Sequence, residues 1–197
     1  MRQIKWAMAC VAMSGVFAGG ASATYHTFRI NELYSNPSGT VQFVEFKEAF
    51  GFGGQQFVTL APDVKSAAHD FVFPTNLPSS ATGSKSFILG TAGYAAIAGA
   101  PAPDYIIPAN FFNPAGDTLQ YGSTGPDGIV DTTTFGSVPS GSNQSLNRVG
   151  TSGSVFTAAL NSPTNFAGAT GSVPEPTSCL LLAGAGLGLM LRHRRGK

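Results

Sequence analysis

Chemistry in this chain, if it has any, falls to acids. Glu32 and Glu45 stand in two β-patterned runs, residues 28–34 and 41–46, joined by a turn signal over 35–40. A hairpin with Tyr34 opposite Val41 sets Glu32 against Phe43 and Ile30 against Glu45. The two carboxylates then become diagonal neighbours on one face, with a Cα separation of roughly 7–8 Å. Two carboxyls at that spacing can share a proton or flank a glycosidic bond, as in a secreted glycan hydrolase. The pair depends on register, since a slip of one residue turns a strand's side chains to the other face. The competing reading is structural: acids in strands pair with cations or cap backbone groups, and Arg29 and Lys47 are close by. The structural reading is preferred, so no catalytic residue is assigned and the chain is read as a non-enzyme.

Nucleophile and metal chemistry have less support. Before the C-terminal tail the only histidines are His26 and His69, in neither an H-x-x-x-H nor an H-E-x-x-H spacing, and there is no G-x-S-x-G elbow or P-loop. Asp117, Asp127 and Asp131 lie around glycine-rich turns. They could offer oxygens to Ca²⁺, which takes about six to eight. No EF-hand loop or Gly-Gly-x-Gly-x-Asp repeat accompanies them, and turn formation accounts for them better. No metal or cofactor is expected, and a calcium-dependent adhesin remains an alternative beside the hydrolase.

The elements that must position these residues are short. Apolar or alternating runs recur at 28–34, 41–46, 57–60, 70–73, 86–89, 105–107, 118–121, 129–135 and 145–149, separated by Gly/Pro/Asn turn signals. Such spacing, with β-branched and aromatic content, predicts an all-β, antiparallel sandwich. Residues 94–100 are the one helical turn, stopped by Gly99 and Pro101. Arg148, at the end of a strand, is expected to be tied to a carboxylate or to loop carbonyls and so hold that strand in place. The predicted domain covers 24–166, and the small residues of 167–172 read as a flexible spacer.

Both ends of the chain carry addresses. Arg2 and Lys5 precede an almost wholly apolar run over 6–18, and Ala21-Ser22-Ala23 is an A-x-A site that predicts cleavage before Thr24. At the other end, Val173-Pro174-Glu175-Pro176 precedes an apolar run of 14 residues, 178–191, and a basic stop with Arg192, Arg194 and Arg195. As a helix that run is about 21 Å long, short of a hydrocarbon core of about 30 Å. The basic stop favours a cytoplasmic C-terminus. The prolines keep the helix from extending backward.

Setting both segments aside changes the charge. Residues 24–176 hold five cations (Arg29, Lys47, Lys65, Lys85, Arg148) against ten carboxylates, a net −5. An acidic body repels nucleic acid, so no such partner is expected. Cys10 and Cys179 both fall in the end segments, so the body has no disulfide and must be held by burial alone. About 150 residues suffice for that in one domain.

Two resemblances follow. The Pro-Glu-Pro break, apolar helix and basic stop resemble the PEP-CTERM tail of Gram-negative bacterial exported proteins. That resemblance implies an exosortase-type membrane processing enzyme as partner, transient membrane attachment through the tail, and export to the cell surface or extracellular matrix. Phe28-Arg29-Ile30-Asn31-Glu32-Leu33-Tyr34-Ser35-Asn36 with Gln42-Phe43-Val44-Glu45-Phe46, and Gly128-Ile129-Val130-Asp131, Phe135-Gly136, Gln144 to Arg148 and Asn161 to Thr164 at the far end, resemble a lamin-tail-like domain. It implies an immunoglobulin-like β-sandwich used as a non-catalytic interaction module, with exopolysaccharide or another surface protein as its partner.

Overall fold

The computed structural model describes residues 24–60, 63–122, 128–151 and 153–174. The predicted signal peptide with Ala21 and Ala23 lies outside the described residues. So do Asp127, Glu175, Pro176, the 178–191 run and the basic stop.

Among the described residues ten strands and one helical turn follow in order: β1 (Phe28–Ser35), β2 (Gln42–Glu48), β3 (Asp63–Lys65), β4 (Asp70–Val72), β5 (Ser86–Thr91), α1 (Ala92–Ala95), β6 (Tyr105–Ile107), β7 (Asp117–Gly122), β8 (Ile129–Phe135), β9 (Gln144–Arg148) and β10 (Phe156–Leu160). They build a β-sandwich of a six-stranded sheet, β10-β9-β1-β2-β5-β6, and a four-stranded sheet, β4-β3-β7-β8. One pair departs from the expected antiparallel pattern. β6 runs parallel to β5 because the chain crosses over through α1 and the loop after it. Among the described residues no helix is long and apolar enough to cross a membrane.

Alternation along each strand decides what is buried between the sheets. Phe28, Ile30 and Leu33 of β1, Val44 and Phe46 of β2, and Phe87 and Leu89 of β5 meet Val64, Leu119, Tyr121 and Phe135 of the facing sheet. Phe46 stacks on Phe87 at 4.9 Å and reaches across to Tyr121 at 4.9 Å, so aromatic faces bridge the two sheets. Contacts of this kind add roughly 0.5–1.5 kcal/mol beyond burial.

Two features of β1 set the site. First, the turn after it is shorter than expected. Asn36 closes the loop by donating its N–H to the Val41 carbonyl (2.9 Å) while its Oδ1 accepts the Val41 N–H (3.1 Å). Gly39, at φ 67°, lets the backbone press against Asn110. This draws Ser35 opposite Gln42 and Tyr34 opposite Phe43, two residues from the expected register. Glu32 therefore faces Glu45 directly, not diagonally. Second, a bulge between Ile30 and Glu32 swaps the strand's faces. Ile30 and Leu33 both point inward, while Glu32 and Tyr34 point to the outer side of the six-stranded sheet.

Past the bulge, β1 and β9 diverge, with pairing confined to Glu32–Asn147 and Leu33–Leu146. The gap is filled by an ion pair. Asp131 Oδ2 accepts the Ile30 N–H at 2.8 Å, and Arg148 Nε donates to the Ile30 carbonyl at 2.5 Å. The two side chains meet at 2.6 Å, and Arg148 also donates to the Gly153 carbonyl. They supply Ile30 with the donor and acceptor that a neighbouring strand would have offered. Arg148 was expected to be tied to a carboxylate or to loop carbonyls, and the structure ties it to the Asp131 carboxylate, the Gly153 loop carbonyl and the Ile30 carbonyl of β1.

Candidate functional site

The outer face of the six-stranded sheet is covered by residues 161–173, which follow β10. After β10, residues 161–173 cross over β1, β2 and β5 as a strap, turn back at 165–169, and return. Asn165 N–H bonds the Ala169 carbonyl (3.0 Å), the Gly168 N–H bonds the Asn165 carbonyl (2.9 Å), and Thr164 bridges Thr170. Residues 167–172, expected as a flexible spacer, are thus part of the folded body. Their small side chains serve close packing: a Cβ added at Gly171 would sit 2.6 Å from the Gly99 carbonyl oxygen.

The strap is held by carboxylates at every second residue. The Ser162 N–H donates to Glu32 at 2.9 Å, the Thr164 N–H to Glu45 at 2.7 Å and the Phe166 N–H to Asp104 at 3.1 Å. An extended segment points alternate N–H groups to one side, so three acids at matching intervals act as a substitute strand. Glu32 Oε1 also accepts from Ser145 Oγ (2.6 Å). Glu45 Oε1 accepts from Asn31 Nδ2 (2.8 Å) and Ser86 Oγ (3.1 Å). Glu32 is 1% and Glu45 3% exposed.

The sequence brought the two glutamates together, and the structure shows both accepting hydrogen bonds from the strap. Both Glu45 oxygens are occupied, and the strap lies over the pair. Arg29, the expected cationic partner, instead donates to the carbonyls of His26 and Phe28. Asp104, Ser145 and Asn161 complete the arrangement; Asp104 carried no signal in the sequence, being a single acid remote in the chain, and Ser145 and Asn161 stood out only as members of the lamin-tail-like patches.

Burial raises the Glu32 carboxyl above its ordinary range. Burial, with the charge of Glu32 beside it, pushes Glu45 up to about 7 from 4.5, against the opposing hydrogen bonds from Thr164 and Asn31. Glu48 shows the contrary balance. Burial acts to raise it, but the N–H groups of Ser84 and Phe50 outweigh that and hold it low. The folded state therefore binds a proton on Glu45 more tightly than the unfolded chain does. The stabilisation is present below about pH 4.5 and is lost as pH rises through about 7, on the order of 3 kcal/mol at about 1.4 kcal/mol per unit. Thermal unfolding from pH 5 to 8 is expected to show falling stability. In Glu45→Gln most of that slope should vanish, since the amide oxygen can still take the Thr164 N–H. An unchanged slope would rule out Glu45 as its source.

The strap ends on the first residue of the predicted sorting motif. Asn161 Oδ1 accepts the Val173 N–H at 2.6 Å and Asn161 Nδ2 donates to the Val173 carbonyl at 3.0 Å. Val173 is 1% exposed among Tyr34, Phe43, Ile88 and Tyr94. Pro174 and Val173 form one wall of a cavity of about 370 Å³ completed by Tyr34, Val41 and Ile97.

The three aspartates raised for calcium serve other purposes where described. Asp131 is committed to Arg148 and Ile30. Asp117 accepts from the N–H groups of Asn113 (2.9 Å), Thr118 (2.7 Å) and Ala67 (3.2 Å) as a loop cap. Among the described residues no cluster of three metal-ligating side chains occurs.

Comparison with known proteins bears on the C-terminal end. Residues 172–195 match the family model of the PEP-CTERM protein-sorting motif. No curated protein and no solved structure matches the chain. The match spans the Val173 anchor, Pro174-Glu175-Pro176, the apolar run and the basic residues. The chain thus carries a PEP-CTERM sorting signal, which makes it an exported protein that passes through the membrane to the cell surface and is sorted by an exosortase, a membrane enzyme.

Proposed function

We propose that this protein is a non-catalytic binding or structural module of the cell surface or extracellular matrix, lamin-tail-like in fold, whose folded body is tied directly to its sorting signal. The observation that carries this reading is the occupied state of Glu32 and Glu45. A hydrolytic pair must present oxygens to a sugar and a water, whereas these hold strap N–H groups beneath a covering segment. The lamin-tail-like assignment is supported by where its patches fall: Ile30 to Glu32 forms the bulge, Phe43 to Phe46 lies opposite, and Gln144 to Arg148 is the strand latched to Asp131.

A matrix polysaccharide is the partner that the surface suits. The outward side of β3, β7 and β8 carries a shallow depression of about 550 Å³ lined by Lys65, Asp117, Thr118, Gln120 and Thr134. Hydroxyl, amide and charged groups side by side can exchange hydrogen bonds with sugar hydroxyls. The exported protein is expected to co-sediment with insoluble cell-matrix polysaccharide, to lose at least several-fold retention in Gln120→Ala/Thr118→Ala, and to release no reducing ends. Release of reducing ends that stops in Glu45→Gln would replace this reading with the hydrolase. Equal retention of the surface variant would remove the glycan from this face.

A further inference from the structure

The six-stranded sheet ends on β10, and among the described residues no strand pairs with its outer edge. Sheets usually protect such an edge with charge, proline or a bulge, because unpaired N–H and C=O groups template further pairing. Here the protection is missing: no charged residue occurs anywhere from 149 to 174, and β10 itself, Phe156-Thr157-Ala158-Ala159-Leu160, has no proline. Leu160 is 66% and the preceding Val155 61% exposed.

The direction of each free backbone group can be read from the inner ladder. The Val149 N–H bonds the Val155 carbonyl (2.8 Å) and the Asn161 N–H bonds the Asn143 carbonyl (2.9 Å). With β9 and β10 paired as Phe156–Arg148 through Leu160–Gln144, residues 155, 157, 159 and 161 face β9. Phe156, Ala158 and Leu160 therefore direct their N–H and C=O groups away from the sheet. This set is symmetric about Ala158. A second copy laid antiparallel on the same edge puts Ala158 against Ala158, and Phe156 against Leu160 twice. All three are hydrogen-bonded pairs, and the small residue stands at the dyad. Phe156 packs partly on the core, so its pairing covers the exposed Leu160 of the other copy with an apolar neighbour on the same side.

We infer that β10 is a self-association edge through which two copies of this chain join their six-stranded sheets into one continuous sheet across a two-fold axis. The interface is isologous and small, so it is a weak contact in dilute solution. Copies held at a membrane or in a surface layer meet at far higher effective concentration, which favours it.

The test uses the full chain expressed for export, with Cys10→Ala and Cys179→Ser removing its own thiols. Directly opposed residues of a hydrogen-bonded pair have Cα atoms about 5.5 Å apart, within disulfide reach. Ala158→Cys should therefore give a reducible dimer on non-reducing gels of cell envelopes. Thr157→Cys, whose counterpart lies diagonally at roughly 7–8 Å, should give several-fold less. Independently, protein recovered outside the cell should sediment as a concentration-dependent dimer, at least tenfold weaker in Ala158→Pro. Proline is tolerated where an edge N–H faces outward, so that variant keeps the inner ladder. Equal cross-linking at 157 and 158, or a dimer that survives Ala158→Pro, would overturn the inference. So would a protein that stays monomeric at high concentration.

Discussion

Arg148→Ala is expected to destabilise the folded body by about 3–5 kcal/mol, the range seen when one partner of a buried ion pair is removed. The arginine side chain is 1% and its Asp131 partner 8% exposed, so water cannot readily replace the lost ion pair. The Asp131 carboxylate loses its counter-charge and keeps only the Ile30 N–H, the Ile30 carbonyl loses its Arg148 donor, and the Gly153 carbonyl turns to water. The loss is a large share of a typical total of about 5–15 kcal/mol. Urea unfolding should show the midpoint fall with the slope preserved. Arg148→Lys should lie between, because an ammonium keeps the charge but cannot serve a carboxylate and two carbonyls from one planar fork. A loss under about 1 kcal/mol for the alanine variant would show that the pair is solvated and that β9 is held by its ladder alone.

Changing Pro174-Glu175-Pro176 to Ala-Ala-Ala is expected to abolish release. The change removes the break and charge that define the recognition point. It also extends the uninterrupted apolar run from 14 residues towards 19, closer to the roughly 20 that span a bilayer. The processing enzyme loses its motif while the substrate becomes a better permanent anchor. Fractionation with an antibody to the body should find the variant unprocessed in the inner membrane and the wild type outside. Equal release of both would reduce Pro-Glu-Pro to a linker. The structure supplies an internal control. Asn161→Ala frees Val173 from its two hydrogen bonds without touching the motif, and so separates the part played by the anchor from that of the signal.

Some elements were legible in the sequence and others were not, for definite reasons. The strand over 129–135 and that over 105–107 match the structure because alternation and flanking turns bound them tightly. The run 57–60 was expected as a strand but is a turn, with the Leu60 N–H bonded to the Phe57 carbonyl and Val58 fully buried. Four residues with an apolar centre plug a core as well as they extend a sheet. β3 and β10 left no usable pattern. β3 has one apolar residue in three, and β10 is exposed along nearly its whole length, so each is defined only by the strand it pairs with. The expected helix over 94–100 is instead α1 at Ala92–Ala95, begun by Thr91, whose hydroxyl caps the Tyr94 N–H, and followed by turns.

What the sequence determined by itself was local. The sorting signal is contiguous, the strand pattern has a period of two, and the cysteine-free acidic body is a matter of composition. What tertiary structure alone decided was the meaning of the acids. A two-residue change of register, set by Asn36 and Gly39, put Glu32 directly against Glu45. A strap from more than a hundred residues away then occupied both. Register and long-range closure depend on a few hydrogen bonds between distant residues, and no window of sequence contains both partners. The spacer after residue 166 read as loose because its small residues carry no pattern, and they are held by turns back onto Asn165, Pro163 and Thr164.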